Sequence, residues 1–179
     1  LLCLVLTSCK IDFEGDLYTS DLLTIAEEGG SISLPMEIKF QVSSCDEDLT
    51  NLNNKISTYF QDYKQISCGT GEDFMDYITS KVSVPIYNNL EDFNSENKSL
   101  IGYQSTIWEG QTKPYVYIVL NLNKFEGLSD FIQNETFQEL SLDEGILKVN
   151  INNDIETQKL SIFPSFVDGE PLVFRTTYD

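Results

Sequence analysis

The chain has 179 residues, 41% hydrophobic and 12% aromatic, which is enough for one folded domain with a core and argues against disorder. Eleven Lys and Arg face 29 Asp and Glu, and the net charge of −18 argues against nucleic acid and anionic lipid as partners while fitting solubility or a basic partner. The absence of histidine excludes catalytic triads with a histidine base and histidine-ligated metals.

The N-terminal segment indicates where the protein resides. Residues 1–8 are uncharged and mostly aliphatic, but a bilayer span needs roughly 20 apolar residues, so they are more typical of the end of a secretory signal. The following Leu6-Thr7-Ser8-Cys9 resembles the lipobox of bacterial lipoproteins, in which a peptidase cuts before the cysteine and the cysteine is acylated. The resemblance implies that Cys9 is the lipid anchor and that residues 1–8 are removed. The alternative is a chance cysteine in an ordinary signal or core segment.

The residue after the anchor bears on localisation. In enterobacterial lipoproteins an aspartate at this position retains the protein in the inner membrane. Lys10 occupies it here, so the resemblance favours the outer membrane of the cell envelope. Whether the domain faces the periplasm or the outside stays open.

Residues 10–18 follow as a short acidic stretch, interpreted as a tether that begins at Cys9 and leads to a single domain over 19–179. A helix is predicted over 19–30, capped by Thr19 or Ser20 and stopped by two glycines. The next segment, 31–44, is the clearest strand, and its Pro35 suggests an edge or a bulge. Its alternating apolar residues are Ile32, Leu34, Met36, Ile38, Phe40 and Val42.

In the middle of the chain the spacing of apolar residues changes from that of a strand to that of a helix. Helical spacing predicts a helix over 46–63, and a further short helix is expected over 69–78. A strand over 81–87 and a polar surface loop over 88–99 complete this part.

The C-terminal half reads mainly as strands. Residues 100–123 predict two strands around Gly110, and the second, apolar on both faces, is expected to be central and covered on both sides. A helix from about Leu128 to Phe137 precedes a meander with a hairpin turn at Asp168-Gly169. The fold class is therefore α+β, an antiparallel sheet with two or three helices packed on one face. The chain breaks off at the end of a predicted strand, so a further C-terminal strand or module is an open expectation.

Two cysteines remain beyond the signal and anchor. Exported compartments are oxidising, so Cys45 and Cys68 are expected to form a disulfide closing a loop of about 24 residues, which stabilises by roughly 3–4 kcal/mol. A metal site is the rival, but two cysteines without histidine make a poor zinc cage.

Chemical motifs are scarce, and we predict no catalytic residue, cofactor or metal. The "GTGED" segment lacks the lysine of a phosphate loop and reads as a turn. Acidic residues that could formally serve a glycosidase are Glu14, Glu109, Glu126 and Glu135, and none stands out. Oxygen ligands that calcium would accept occur at Asn152, Asn153, Asp154 and Glu156, where a hairpin turn is the better account. Aromatic residues that could form a binding patch are Tyr103, Trp108, Tyr115 and Tyr117, although packing within the sheet would also explain them.

Beyond the lipobox, the chain resembles an uncharacterised group of small lipoproteins of enterobacterial genomes and prophages. The matching segments are "CKIDFEGDLYTSDLL", "SSCDEDL", "YVYIVLNLNKF", "FQELSLDEGILKVNINND" and "SFVDGEPL". The resemblance implies no activity.

Three classes of function remain. The favoured one is a non-catalytic, lipid-anchored protein that binds a basic envelope or phage protein, for superinfection exclusion by a prophage or for inhibition of a basic wall lysozyme. The alternatives are a carrier of a hydrophobic ligand, which needs a large apolar cavity, and a carboxylate-based hydrolase.

Overall fold

A computed structural model describes residues 9–95, 99–110, 114–136, 140–141, 145–155, 160–162, 165–167, 170–172 and 176–178. Its helices are α1 (Thr19–Glu28), α2 (Thr50–Ile56, continued by a 3₁₀ turn at Ser57–Tyr59), α3 (Leu90–Ser95) and α4 (Leu122–Thr136). Its strands are β1 (Cys9–Tyr18), β2 (Ser31–Val42), β3 (Gln61–Thr70), β4 (Asp76–Tyr87), β5 (Ile101–Thr106), β6 (Tyr115–Leu120), β7 (Leu140–Ser141), β8 (Leu147–Asn152), β9 (Leu160–Ile162), β10 (Ser165–Val167), β11 (Glu170–Leu172) and β12 (Thr176–Tyr178).

The first eight strands form one sheet in the order β6-β5-β4-β2-β1-β7, with β3 also pairing with β4 and β8 with β1. The α+β prediction is confirmed, and the sheet is mixed. Antiparallel pairing joins β1 to β2, β2 to β4, β3 to β4 and β5 to β6. The β4–β5, β1–β7 and β1–β8 pairs are parallel, because a helix lies in the connection before β5 and before β7 and allows the chain to cross over.

Proline residues mark where pairing changes. Residues 31–42 of β2 pair continuously with β4, whereas the β1–β2 pairing ends at Gly15 and Met36, and Pro35 is the first residue of β2 outside it. On its other edge, β4 pairs with β3 as far as Ser83 and with β5 from Ile86 onward, so Pro85 lies in the gap. A proline has no N–H to donate, so both sites suit the end of a ladder.

The core lies between one face of the sheet and three helices. Ile38 and Phe40 of β2 are 1% exposed, and the register places them opposite Phe13 and Ile11 of β1. The helices contribute Leu22 and Ile25 (α1), Ile56 (α2), and Leu128 and Ile132 (α4) to the same cluster. This confirms helices packed on one face, and the cluster includes every predicted β2 residue, with Ile32 and Leu34 only partly buried.

Three local predictions are wrong. Residues 9–18 form β1 inside the sheet instead of a tether, because Ile11, Phe13 and Leu17 bury one side of the strand. The helix expected over 46–63 ends with the 3₁₀ turn, and β3 takes over at Gln61. Residues 69–78 form the β3–β4 turn and strand ends, because β4 supplies a long pairing partner for β3.

Part of the expected surface loop over 88–99 forms α3. Phe93 of α3 is 1% exposed and packs edge-on against the ring of Tyr87, with 6.0 Å between ring centroids. It also lies over Gly102, where an added Cβ would come within 2.5 Å of the Phe93 ring. Gly102 alternates with the core residues Ile101 and Tyr103, so α3 packs on the opposite face of the sheet.

The C-terminal strands pair differently from a simple meander. Antiparallel β10 and β11 place Val167 opposite Glu170, which confirms the hairpin, although Asp168 and Gly169 themselves lie outside the described residues. Strand β8 pairs in parallel with β1, and β9 pairs with β12. A meander therefore does not run through this region.

Candidate functional site

Strand β6 is the edge strand of the main sheet. Among the described strands only β5 pairs with it, so within the described residues its other backbone edge has no strand partner. Its sequence, Tyr-Val-Tyr-Ile-Val-Leu, contains no charge and no proline, the features with which proteins usually protect such edges. The prediction that this strand is central and covered on both sides is therefore wrong.

Both faces of β6 are partly exposed. On the helix side, Ile118 is 53% and Val116 38% exposed, although the residue opposite Ile118, Tyr103, is only 3% exposed. The helix layer stops at β5, where Ser105 donates a 2.7 Å hydrogen bond to the Leu22 carbonyl of α1. The apolar helix-side face of β6 therefore lies beyond the helices, which cover the core residues of β1, β2, β4 and β5.

Three aromatic side chains form an exposed stack at the β5–β6 hairpin. The Trp108 ring is stacked on Tyr115 at 4.9 Å and on Tyr117 at 5.9 Å between centroids, with interplanar angles of 15° and 16°. Trp108 is 53% and Tyr117 38% exposed. Gly110, with φ of 78°, adopts the left-handed conformation that the turn requires. We call Trp108, Tyr115 and Tyr117 the aromatic stack.

Tyr103, the fourth aromatic residue of the predicted patch, is not part of the stack. Its side chain lies in the core, and burial raises the pKa of its hydroxyl to about 12. The structure thus brings three of the four predicted residues together at the surface and assigns the fourth to packing.

Cys45 and Cys68 form the predicted disulfide, with 5.6 Å between their Cα atoms. It ties the segment after β2 to β3. Asp76, at the start of β4, accepts hydrogen bonds from the Cys45 amide at 2.9 Å and from the Thr70 hydroxyl at 2.7 Å. The disulfide therefore braces the end of the sheet that carries the β3–β4 hairpin.

Cys9 begins β1 with its side chain directed inward. The thiol is 1% exposed and donates a 2.9 Å hydrogen bond to the Gln41 carbonyl, and burial raises its pKa to about 11. It also borders an open crevice of about 160 Å³ at the ends of α2 and α4, lined by Leu49, Leu52 and Phe131 among others. On the side away from β2, the described residues that pair with Cys9 and Lys10 are the two of β7.

Asp154, in the segment weighed as a calcium loop or a turn, caps a distant helix. Its carboxylate accepts hydrogen bonds from the Ser20 amide at 2.9 Å, the Thr19 hydroxyl at 2.8 Å and the Ser20 hydroxyl. These bonds, those from Ser20 foremost, lower the pKa of Asp154 to about 2. The predicted cap by Thr19 or Ser20 is wrong, since the capping oxygen comes from beyond β8 and α1 has no local side-chain cap.

Replacing Asp154 with asparagine is expected to lower the melting temperature at pH 7. The folded-state pKa lies below the usual 3.8, so the stabilisation by the carboxylate is present above about pH 4 and is lost as pH falls toward 2. The melting temperatures of the wild-type protein and Asp154→Asn should therefore converge at low pH. Asp130→Asn, at an exposed position of α4, is the control. A difference between Asp154→Asn and wild type that persists unchanged at pH 2 would contradict the cap.

Two features of the described residues bear on the alternative classes of function. Two open depressions, of about 190 and 160 Å³, are each smaller than the roughly 300–1,000 Å³ of a typical ligand pocket. The candidate acids lie on β1, the β5–β6 loop and α4, and Glu14 is paired with Lys148. Within the described residues, no group of three or more cysteine, aspartate and glutamate side chains could hold a metal ion. No helix of that part of the chain is long and apolar enough to cross a membrane.

Comparison with known protein families identifies the family of this chain. A family model described as "Domain of unknown function (DUF7424)" matches residues 12–179. The chain belongs to this family. The DUF7424 match includes β1 from Asp12, which agrees with β1 being part of the folded domain, and it leaves Cys9 outside. No curated protein and no solved structure matches the chain.

Proposed function

We propose that this DUF7424 protein is a lipid-anchored, non-catalytic binding protein of the bacterial cell envelope, at the outer membrane. The proposed partner is a basic envelope or phage protein that docks on the aromatic stack and the adjoining edge of β6. The observation that carries the proposal is this exposed surface. A tryptophan stacked on two tyrosines beside an uncovered apolar strand is unusual for a surface that contacts only water.

The composition of the stack fits protein recognition. Tryptophan and tyrosine dominate the energetics of protein interfaces, because their large rigid rings bury much area at a low entropic cost. Stacking on Tyr115 and Tyr117 holds the Trp108 ring in place before binding. Less conformational entropy is then lost when a partner covers it.

The negative net charge favours a basic partner. With −18 distributed over 179 residues, long-range attraction accelerates encounter with a basic protein and slows encounter with acidic ones. Both specific roles weighed from the sequence, exclusion of a superinfecting phage and inhibition of a basic wall lysozyme, remain within this class.

The anchor is the second part of the proposal. Cys9 follows the lipobox-like residues, and Lys10 favours the outer membrane. A diacylglyceryl group on the Cys9 sulfur does not fit inside the core, so a lipidated protein must release Cys9 from β1. The pairing of Cys9 with Leu140 of β7 would be lost, and the open crevice beside Cys9 offers an exit. The remaining contacts of β1 with β2 and β8 lie beyond this point.

The binding surface is tested with Trp108→Ala. Protein immobilised at low salt captures partners from envelope extract, and the kinetics are then measured with the purified partner. We expect an association rate that falls steeply with salt, and a Trp108→Ala complex weaker by about 2 kcal/mol, roughly 30-fold in Kd, mainly through faster dissociation. Tyr18→Ala is the matched control, because Tyr18 is a 41% exposed aromatic residue on another strand.

Two outcomes would contradict this function. If Trp108→Ala unfolds the domain, the stack serves packing. If captured partners are acidic, or none bind at low salt, the charge serves solubility only and the carrier hypothesis gains ground.

A further inference from the structure

The β3–β4 hairpin carries the most exposed large apolar side chain of the described residues. Phe74 is 88% exposed and Met75 is 41% exposed. The backbone of Phe74 has a φ of 64°, the left-handed conformation, which costs free energy for a bulky residue and suits glycine or asparagine. Phe74 therefore does not stabilise the isolated domain, because its backbone conformation costs free energy and its side chain is not buried.

A set of hydrogen bonds stabilises the turn at residues 71–75, which we call the hairpin tip. The Gly71 amide donates to the Met75 carbonyl at 2.7 Å, and the Phe74 amide donates to the Gly71 carbonyl at 3.1 Å. Asp73 accepts hydrogen bonds from the Tyr77 hydroxyl at 2.6 Å and the Met75 amide at 3.2 Å. Phe74 is therefore held outward by a braced turn.

The tip lies beside the proposed lipid attachment point. The Lys10 ammonium, one residue after Cys9, forms a 3.0 Å ion pair with Asp73 and lies 5.3 Å from the centroid of the Tyr77 ring. Tyr77 and Lys10 together lower the pKa of Asp73 to about 2, which keeps this link charged over the physiological range. The N-terminal end of β1 and the hairpin tip therefore share one end of the sheet.

We propose that Phe74 and Met75 insert into the lipid surface to which Cys9 is anchored, so that the domain is held at two adjacent points. This inference rests on the lipid anchor of the proposed function. The acidic residues Glu72 and Asp73 at the tip disfavour an anionic surface, so the lipid is one with zwitterionic headgroups, such as phosphatidylethanolamine or phosphatidylcholine.

Insertion would orient the binding surface. Strand β4 starts at the hairpin tip, and β5 runs parallel to it, with Tyr103 beside Ile86 near the far end of β4. Trp108 follows β5 and thus lies at the opposite end of the sheet. The ten steps from Asp76 to Ile86 and the three from Tyr103 to Thr106 make roughly 40–45 Å along the strand direction at 3.3 Å per residue. A domain seated on its β3–β4 tip presents the aromatic stack away from the membrane, whereas a lipid tether alone leaves the orientation free.

The test uses depth-dependent fluorescence quenching with lipidated full-length protein. The protein is reconstituted into phosphatidylcholine vesicles with either plain or brominated acyl chains, and Phe74→Trp is introduced in a Trp108→Phe background. We expect brominated chains to remove roughly half of the fluorescence, because an interfacial side chain lies about 5–10 Å deep. Trp108, the one tryptophan of the wild-type chain, is the matched control and should lose almost none.

Folding is checked by circular dichroism, and an 88% exposed position tolerates the exchange of one aromatic ring for another. Protein that does not sediment with the vesicles shows that the anchor itself fails, and this inference fails with it. A sedimenting Phe74→Trp variant whose emission is unaffected by bromine overturns the inserted tip but leaves the anchor intact, and it points to a protein contact for Phe74. Equal quenching at both positions also overturns the inference, since the domain then has no fixed orientation.

Discussion

Replacing Cys9 with alanine is expected to move the protein completely from the membrane to the aqueous fraction. If the cysteine carries the lipid, its removal leaves residues 1–8 uncut or the mature chain unanchored, and either product differs from wild type in detergent-phase partitioning and in N-terminal sequence. The fold should survive, because alanine replaces a small buried side chain and removes one hydrogen bond to Gln41, at a cost of about 1 kcal/mol.

Cys3→Ala is the control, since it removes the other cysteine of the apolar segment and should leave partitioning unchanged. The opposite result is equally definite. A wild-type protein that stays in the aqueous phase, and whose Cys9 reacts with thiol reagents only after denaturation, would make Cys9 a structural core residue. That outcome would agree with its 1% exposure and raised pKa and would remove the anchor from the proposed function.

Removal of the Cys45–Cys68 disulfide should lower the free energy of unfolding by about 3–4 kcal/mol. The bond closes a loop with a sequence separation of 23 residues, and opening it restores that conformational freedom to the unfolded chain. For a urea m-value near 2 kcal/mol/M, the midpoint should fall by roughly 1.5–2 M.

The measurement compares oxidised protein, reduced protein and the Cys45→Ala/Cys68→Ala double variant in urea. The reduced protein and the double variant should agree, since both lack the crosslink. Native oxidised protein should show no labelling at either cysteine. An unchanged midpoint after verified reduction would mean that the unfolded chain is already restricted in this loop, and the chain-entropy account would then be wrong.

Several elements could be predicted because their signals are local. The alternation from Ile32 to Val42 is a strand pattern that needs no knowledge of the rest of the chain, and α1 combines an apolar stripe with two terminating glycines. The disulfide followed from the number of cysteines and an oxidising compartment. The β10–β11 hairpin followed from its turn residues.

The errors have identifiable physical causes. In β1, Ile11, Phe13 and Leu17 occupy odd-numbered positions, with acidic residues at 12 and 16 between them. The segment therefore has the period of a strand, but its acidic residues are equally typical of an exposed tether. In the segment after Cys45, the apolar spacing fitted a helix as far as Tyr63. From Gln61 onward the chain instead adopts an extended conformation and pairs with β4. Hydrogen bonding to a long partner strand stabilises these residues more than a helix end without tertiary contacts would.

The candidate site also combines features that the sequence predicts with features that only the tertiary structure shows. The sequence placed four aromatic residues on one hairpin, but it could not indicate which face the helices cover. Tyr103 points under α1 because β5 is the last strand below the helix layer, whereas Val116 and Ile118, equally apolar, lie beyond it. The turn that carries Phe74 is likewise linked through Asp73 to Lys10, which lies 63 residues earlier in the chain than Asp73.

The sequence by itself determined the α+β class, the strands and helices with strong periodicity, the disulfide pair, the acidic surface and the resemblance to a lipoprotein signal. These properties depend on composition or on neighbours a few residues apart. Only the tertiary structure decided that β8 pairs with β1, that Asp154 caps a helix 134 residues away, that β6 is an edge, and that Phe74 is exposed beside Lys10. Each of these arises from contacts between distant segments, and which distant segments pair depends on how the whole chain buries its apolar surface.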